Sequence, residues 1–185
     1  MDLLPLLIEP ETLEHHLDAD DILVVDLGRA ETYRQLHVPG AVFLDYGQII
    51  AMNRPVMGLL PDDESLQRIF SATGISRDTH VVAYDDEGGG KAARLLWTLE
   101  CAGHERMSLL NGGLHAWANE GHPHNNTPVT PASGRHPLPS PRAFADFLAH
   151  WGWQPAHWPF SQVVPGAQEP HDPPQPSSPH TASPQ

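Results

Sequence analysis

The residues most able to do chemistry lie in one short stretch, Asp85-Asp86-Glu87-Gly88-Gly89-Gly90-Lys91. It follows an apolar run and precedes a helical pattern. Three glycines let a backbone bend with its N–H groups turned inward, and a following helix adds the positive end of its dipole. Such a cradle holds an anion. Three carboxylates at its entrance oppose an external anion by direct repulsion. A phosphate-binding G-x-x-x-x-G-K-[ST] loop set on Gly90-Lys91 needs glycine where Asp85 stands and serine or threonine where Ala92 stands, so it is excluded, and G-x-G-x-x-G is absent. Two plainer readings stay open: a tight strand-to-helix turn with solvated charges, or oxygen ligands for calcium or magnesium from Asp85, Asp86 and Glu87, of which the solvated turn is favoured. Lys91 and Arg94 are placed to neutralise these acids. Arg29, just past another apolar run, is placed to face a pocket mouth. The only cysteine, Cys101, lies sixteen residues beyond Asp85. At a helical rise of about 1.5 Å per residue it should be roughly 15 Å from the loop, and it reads as a partly buried helix residue.

The histidines form no complete ligand set. His15 and His16 are adjacent and point about 100° apart on a helix, while His122 and His124 flank Pro123 in a loop. His37 is expected to tie its ring to local backbone. No metal or other cofactor is expected.

The elements that must position the loop alternate between strand and helix. Ile22–Asp26, 41–44, His80–Tyr84 and Met107–Leu110 read as strands, and the first and third are nearly continuous apolar runs, suited to a sheet covered on both faces. Helices are expected over 10–17, 30–36, 91–102 and 113–119. Another starts at Pro61, with Asp62, Asp63 and Glu64 in its first turn, Leu66, Ile69 and Phe70 as its apolar stripe and Gly74 as its end. The stretch from Asp45 to Pro61 shows no period and reads as a long loop with local turns. The pattern predicts an α/β fold: a mainly parallel sheet flanked by helices on both faces, with ligands beyond the carboxyl ends of the strands.

The 185 residues suffice for one domain with its own core, and a single cysteine excludes a disulfide framework or a multi-cysteine metal site. A net charge of −13 disfavours nucleic-acid binding. No apolar run reaches membrane-span length, and the N-terminus lacks a signal-peptide pattern, so a cytoplasmic protein is expected. Composition changes near Gly121: residues 122–185 hold 15 of the 20 prolines and 7 of the 13 histidines, which excludes long regular elements there. The expected organisation is a domain over residues 1–123, a linker over 124–164 with one short helix from Pro141 to Trp151, and a disordered Pro-rich tail over 165–185.

A series of blocks resembles the rhodanese-like sulfurtransferase family. Tyr33-Arg34-Gln35-Leu36-His37-Val38-Pro39-Gly40-Ala41-Val42-Phe43-Leu44 matches its N-terminal signature. Val25-Asp26-Leu27-Gly28-Arg29, His80 to Arg94 with Trp97, Gly103-His104, and Leu110-Asn111-Gly112-Gly113 with Trp117 resemble later blocks in the family's order, over about residues 6–123. The resemblance implies a rhodanese fold in which Gly112-Gly113 lets its turn approach the neighbouring helix. In active members a cysteine stands directly after the third strand, where backbone amides lower its pKa and it carries a persulfide. Here that position holds Asp85, so the equivalents of the active-site loop are Asp85, Asp86, Glu87, Gly88, Gly89 and Gly90, with no catalytic residue among them. This start is similar to the first, non-catalytic domain of tandem thiosulfate or 3-mercaptopyruvate sulfurtransferases. The implied partner is a catalytic rhodanese domain, and this chain is expected to be truncated or frame-shifted after about residue 140. The alternative is a stand-alone interaction or regulatory module. Apolar surface left without its partner would give weak self-association.

Overall fold

A computed structural model describes residues 4–131. Its centre is a five-stranded parallel sheet in the order β1-β7-β6-β2-β3, formed by β1 (Leu7–Ile8), β2 (Ile22–Asp26), β3 (Val42–Phe43), β6 (His80–Tyr84) and β7 (Met107–Leu110). All five residues of the central strand β6 are buried, as expected of its nearly continuous apolar run. Helices α1 (Pro10–Glu14), α2 (Ala30–Gln35), α3 (Asp63–Thr73), α4 (Gly90–Cys101) and α5 (Gly113–Asn119) complete the domain. The sheet separates two apolar clusters. One gathers Val25, Val81, Leu66, Phe70, Leu95 and Leu99; the other gathers Val24, Val82, Leu13, Leu110, Leu114 and Trp117. Strand residues of alternating parity enter opposite clusters, which is the signature of a sheet covered on both faces.

The expected α/β architecture is present, with differences in detail. α3 begins at Asp63 because the Asp62 carboxylate accepts from the Ser65 amide and caps it, and Gly74 ends it in the left-handed conformation. The edge strand β1 was not expected: its two residues are too few for any periodic pattern, and it exists because Leu7 and Ile8 lie in register with Leu109 and Leu110. The expected long loop of 45–61 is instead ordered as a 3-10 turn (Tyr46–Ile49) and an antiparallel hairpin of β4 (Ala51–Asn53) and β5 (Val56–Leu59), which form a separate two-stranded sheet. Its turn, Asn53-Arg54-Pro55, lacks the usual Asn-Gly signal. The expected helix over 141–151, the linker beyond residue 131 and the 165–185 tail lie outside the described residues. No helix among the described residues is long and apolar enough to cross a membrane.

Gly112 and Gly113 pin the last βα turn, at φ +67° and +55°. A Cβ on Gly112 would lie 2.5 Å from Ala116 Cβ, within its own turn of helix. A Cβ on Gly113 would lie 2.5 Å from the backbone carbonyl oxygen of Asp85. The close approach of Gly113 is therefore to the 85–91 loop, not to a neighbouring helix as the sequence suggested, and the Leu114 amide donates to that same carbonyl at 3.0 Å. Gly113→Ala should cost about 2–4 kcal/mol in urea unfolding, since backbone must move. Gly121→Ala, at positive φ but facing open space, should cost only about 1 kcal/mol.

Candidate functional site

At the carboxyl end of β6 the chain turns directly into the glycine loop. Asp85 is 1% exposed and Asp86 5%. The acidic turn is thus not solvated: only Glu87 of the three acids is exposed. The Asp85 carboxylate fills the cradle that the loop builds. One of its oxygens accepts from the amides of Glu87 (2.9 Å) and Gly89 (2.8 Å), and the other from those of Lys91 (2.8 Å) and Ala92 (3.0 Å). Gly88 and Gly89 make this possible at φ +96° and +91°, a region closed to side chains without strain. Burial is the largest single influence on the Asp85 carboxyl and raises its pKa. The four amides together outweigh it and hold the carboxyl below the usual range. The anion cradle inferred from glycine spacing exists, and its anion is part of the chain.

Asp86 points the other way. Its carboxylate accepts from Arg29 Nε (2.8 Å), the Arg29 amide (3.2 Å) and Thr32 Oγ1 (2.8 Å), joining the loop to the start of α2. His115 of α5 reaches the Asp86 carbonyl at 3.0 Å. Burial again pushes the Asp86 carboxyl up, and Arg29 with Thr32 brings it net below its ordinary value. Arg29 therefore does stand beside the loop, with its side chain two-thirds exposed. The two cations assigned to the acidic cluster part ways. Lys91 pairs with Glu87 at 3.0 Å. Arg94 lies over the Trp97 ring at 4.4 Å and donates to the Leu59 carbonyl at 3.0 Å, so it serves the hairpin rather than the acids.

Beneath the loop lies a residue that sequence inspection did not single out as functional. Asp26 ends β2 in register with Tyr84, which ends β6. Tyr84 Oη donates to Asp26 at 2.6 Å and accepts from the Val38 amide at 3.1 Å, and the Gly28 amide donates to Asp26 at 2.6 Å. Burial raises the Asp26 carboxyl to about 6, with the Asp86 charge adding to it and the Tyr84 and Gly28 bonds opposing it. A Cβ on Gly28 would meet Asp26 Oδ1 at 2.9 Å and Asp86 Oδ1 at 3.1 Å, so a side chain there would have to displace the two carboxylates. Its place at a strand end, in the Val25-Asp26-Leu27-Gly28-Arg29 block, is visible in the sequence, but its pairing with Tyr84 is a matter of strand register, which the sequence does not display.

The other candidates do not join the site. His37 is fully buried, its Nδ1 donates to the Tyr33 carbonyl at 2.6 Å and its ring stacks on Tyr33, the expected tie to backbone. Cys101 is the last residue of α4, partly buried, with burial the main cause raising its thiol to about 12. At neutral pH it is a protonated thiol. His122 pairs with Glu14 and Glu120. Among the described residues no three His, Cys, Asp or Glu side chains converge as a metal site.

A parallel sheet that delivers a glycine loop and an amide cradle to one end, closed by Gly112-Gly113, defines a rhodanese-like α/β domain. Residues 9–120 match the family model described as "Rhodanese-like domain", and the chain belongs to that family. It is similar to a thiosulfate sulfurtransferase of Azotobacter vinelandii, 40% identical over 148 residues that cover 78% of this chain and 55% of the relative. It is also similar to the 3-mercaptopyruvate sulfurtransferase of Escherichia coli K12, 30% identical over 118 residues, 58% of this chain and 42% of the relative. Among solved structures it shares its fold with SseA from Escherichia coli, at TM-score 0.68 and 24% identity over 80% of this chain and 63% of that one. The chain spans about half the length of the curated relatives it matches.

Two outcomes follow from the buried acids. Asp85→Asn replaces an acceptor for two amides with a donor and should cost on the order of 2–4 kcal/mol in urea unfolding, with amide exchange accelerated across 86–92. Asp26, at about 6 against an ordinary 3.8, favours its protonated form when folded. Its contribution is full below pH 4 and lost as pH rises through 6, a decline on the order of 3 kcal/mol that Asp26→Asn should remove. The lowered carboxyls of Asp85 and Asp86 act oppositely, and their stabilisation is lost only on acidification below about pH 4.

Proposed function

We propose that this chain is the non-catalytic rhodanese-like half of a tandem sulfurtransferase of the thiosulfate or 3-mercaptopyruvate type, and that it supports a catalytic rhodanese-like domain without carrying sulfur itself. The observation that carries this reading is the Asp85 carboxylate bound by four backbone amides. In active members of the family the first loop residue after the strand is the cysteine that takes the sulfur. Transfer from thiosulfate needs a thiolate to attack the outer sulfur, forming a new S–S bond as the old one breaks and its electron pair leaves with sulfite. A carboxylate offers no such sulfur atom, and the donors that would stabilise a thiolate there are all engaged. Cys101 does not substitute, because its thiol stays protonated and stands at the far end of α4. The relatives' extra length agrees with a second domain in the working enzyme.

The test is incubation of the pure chain with thiosulfate, followed by intact-mass measurement and a thiosulfate:cyanide assay. The expected result is no added sulfur atom and no turnover. Asp85→Cys, which sets a thiol among the same amides, is expected to gain one sulfur that cyanide removes. Persulfide on the unaltered chain, discharged by cyanide, would overturn the reading.

A further inference from the structure

Asn111-Gly112 joins β7 to α5 and is the one Asn-Gly step in the chain. An asparagine is chemically labile where the next backbone nitrogen can reach its side-chain carbonyl carbon, and glycine, having no side chain, leaves that approach open. Here the nucleophile is also free. The Gly112 amide has no hydrogen-bond acceptor among the described residues, whereas the Asn111 and Leu114 amides donate to the Ile8 and Asp85 carbonyls at 2.8 and 3.0 Å. Asn125 offers the contrast: the amide that follows it is engaged with the asparagine's own Oδ1 at 2.7 Å, and Asn126 carries a side chain.

The carboxamide of Asn111 is exposed but held. Its Nδ2 donates to the carboxylate of Glu9, 2.9 and 3.1 Å from the two oxygens. Glu9 stands between β1 and α1, so the bond ties the start of α1 to the turn into α5. The Glu9 charge opposes the negative charge that grows on Oδ1 when the carbonyl carbon is attacked, and the bond restrains the rotation that attack requires.

We infer that Asn111 is a self-modification site, converted to aspartate and isoaspartate by attack of the Gly112 nitrogen, that Glu9 sets the rate, and that conversion releases the β1 edge of the sheet. The Gly112 nitrogen gives its proton to solvent base and bonds to Cγ. The Cγ–Nδ2 bond breaks, and Nδ2 takes up a proton from solvent and leaves as ammonia. Water then opens the cyclic imide: cleavage at Cγ gives aspartate, and cleavage at the main-chain carbonyl carbon gives isoaspartate. Nothing is oxidised or reduced. Either product sets a carboxylate against Glu9 where a donor stood, and like charges so close repel. Isoaspartate also routes the main chain through Cβ, adding one carbon between the amide that holds Ile8 and the glycine that rests on the Asp85 carbonyl. The two-residue strand β1 depends on this end, where the Leu109 and Asn111 amides donate to the Leu6 and Ile8 carbonyls.

The test incubates the folded full chain in mildly alkaline buffer, with peptide mass spectrometry that separates aspartate from isoaspartate. Asn111 is expected to convert faster than Asn53, Asn119, Asn125 and Asn126, giving both products. Glu9→Ala and Glu9→Gln should each speed conversion at least about threefold in the folded chain and leave its rate in urea unchanged. Intact Asn111 in the folded chain, over a time in which the urea-unfolded chain converts, sinks the site. Folded variants that convert at the parent rate sink the role of Glu9, and a variant that loses its fold is recognised by conversion at the urea rate, leaving the other to decide. Asn111→Asp measures the consequence: exchange of the Leu109 amide should rise at least about threefold while that of Val81, bonded to Arg106, stays unchanged. No change at Leu109, or an equal change at both, overturns the release of β1.

Discussion

The hydrogen bonding of one carboxylate to four backbone amides of a single loop and helix start organises this end of the molecule. Asp85 supplies the acceptors that the loop and the first turn of α4 otherwise lack. A helix N-terminus leaves its leading amides without intrahelical partners, and buried amides must find acceptors. The side chain two to seven residues upstream does so at no cost in bringing a ligand from solution. Gly88 and Gly89 exist to let the backbone close around it, and Gly113 to let the last turn rest on the Asp85 carbonyl.

Two acids of the loop and one at the end of β2 divide the electrostatic work. Asp85 is ionised because amides solvate it, and Asp86 because Arg29 and Thr32 do. Asp26, a strand away, meets a tyrosine hydroxyl and one amide, too few donors to offset burial, and its carboxyl rises. Adjacent positions thus hold opposite protonation preferences through local donor count. The arrangement links β2, β6, α2, α4 and α5 through polar groups.

Much of the fold was legible in the sequence because both faces of the sheet are covered, which writes β2 and β6 as apolar runs, and because Gly74 and Asp62 carry their helix-end chemistry openly. The hairpin was illegible. Its strands are three and four residues long, its outer side chains are methionines and valine where polar residues are usual, and its turn holds Arg54-Pro55 instead of a glycine pair. The edge strand β1 carries no pattern at all, being defined by its partner.

By itself the sequence determined the residue types at the critical bend: an aspartate follows the strand, glycines follow it, and the one thiol lies a helix away. Those are covalent facts, and they bound the chemistry. Tertiary structure alone decided what the acids do. Whether Asp85, Asp86 and Glu87 face water or protein depends on which amides and cations the fold brings within about 3 Å, and the partners of Asp86 are more than fifty residues away in the chain. A run of like charges reads as solvated until the donors that desolvate it are placed in space.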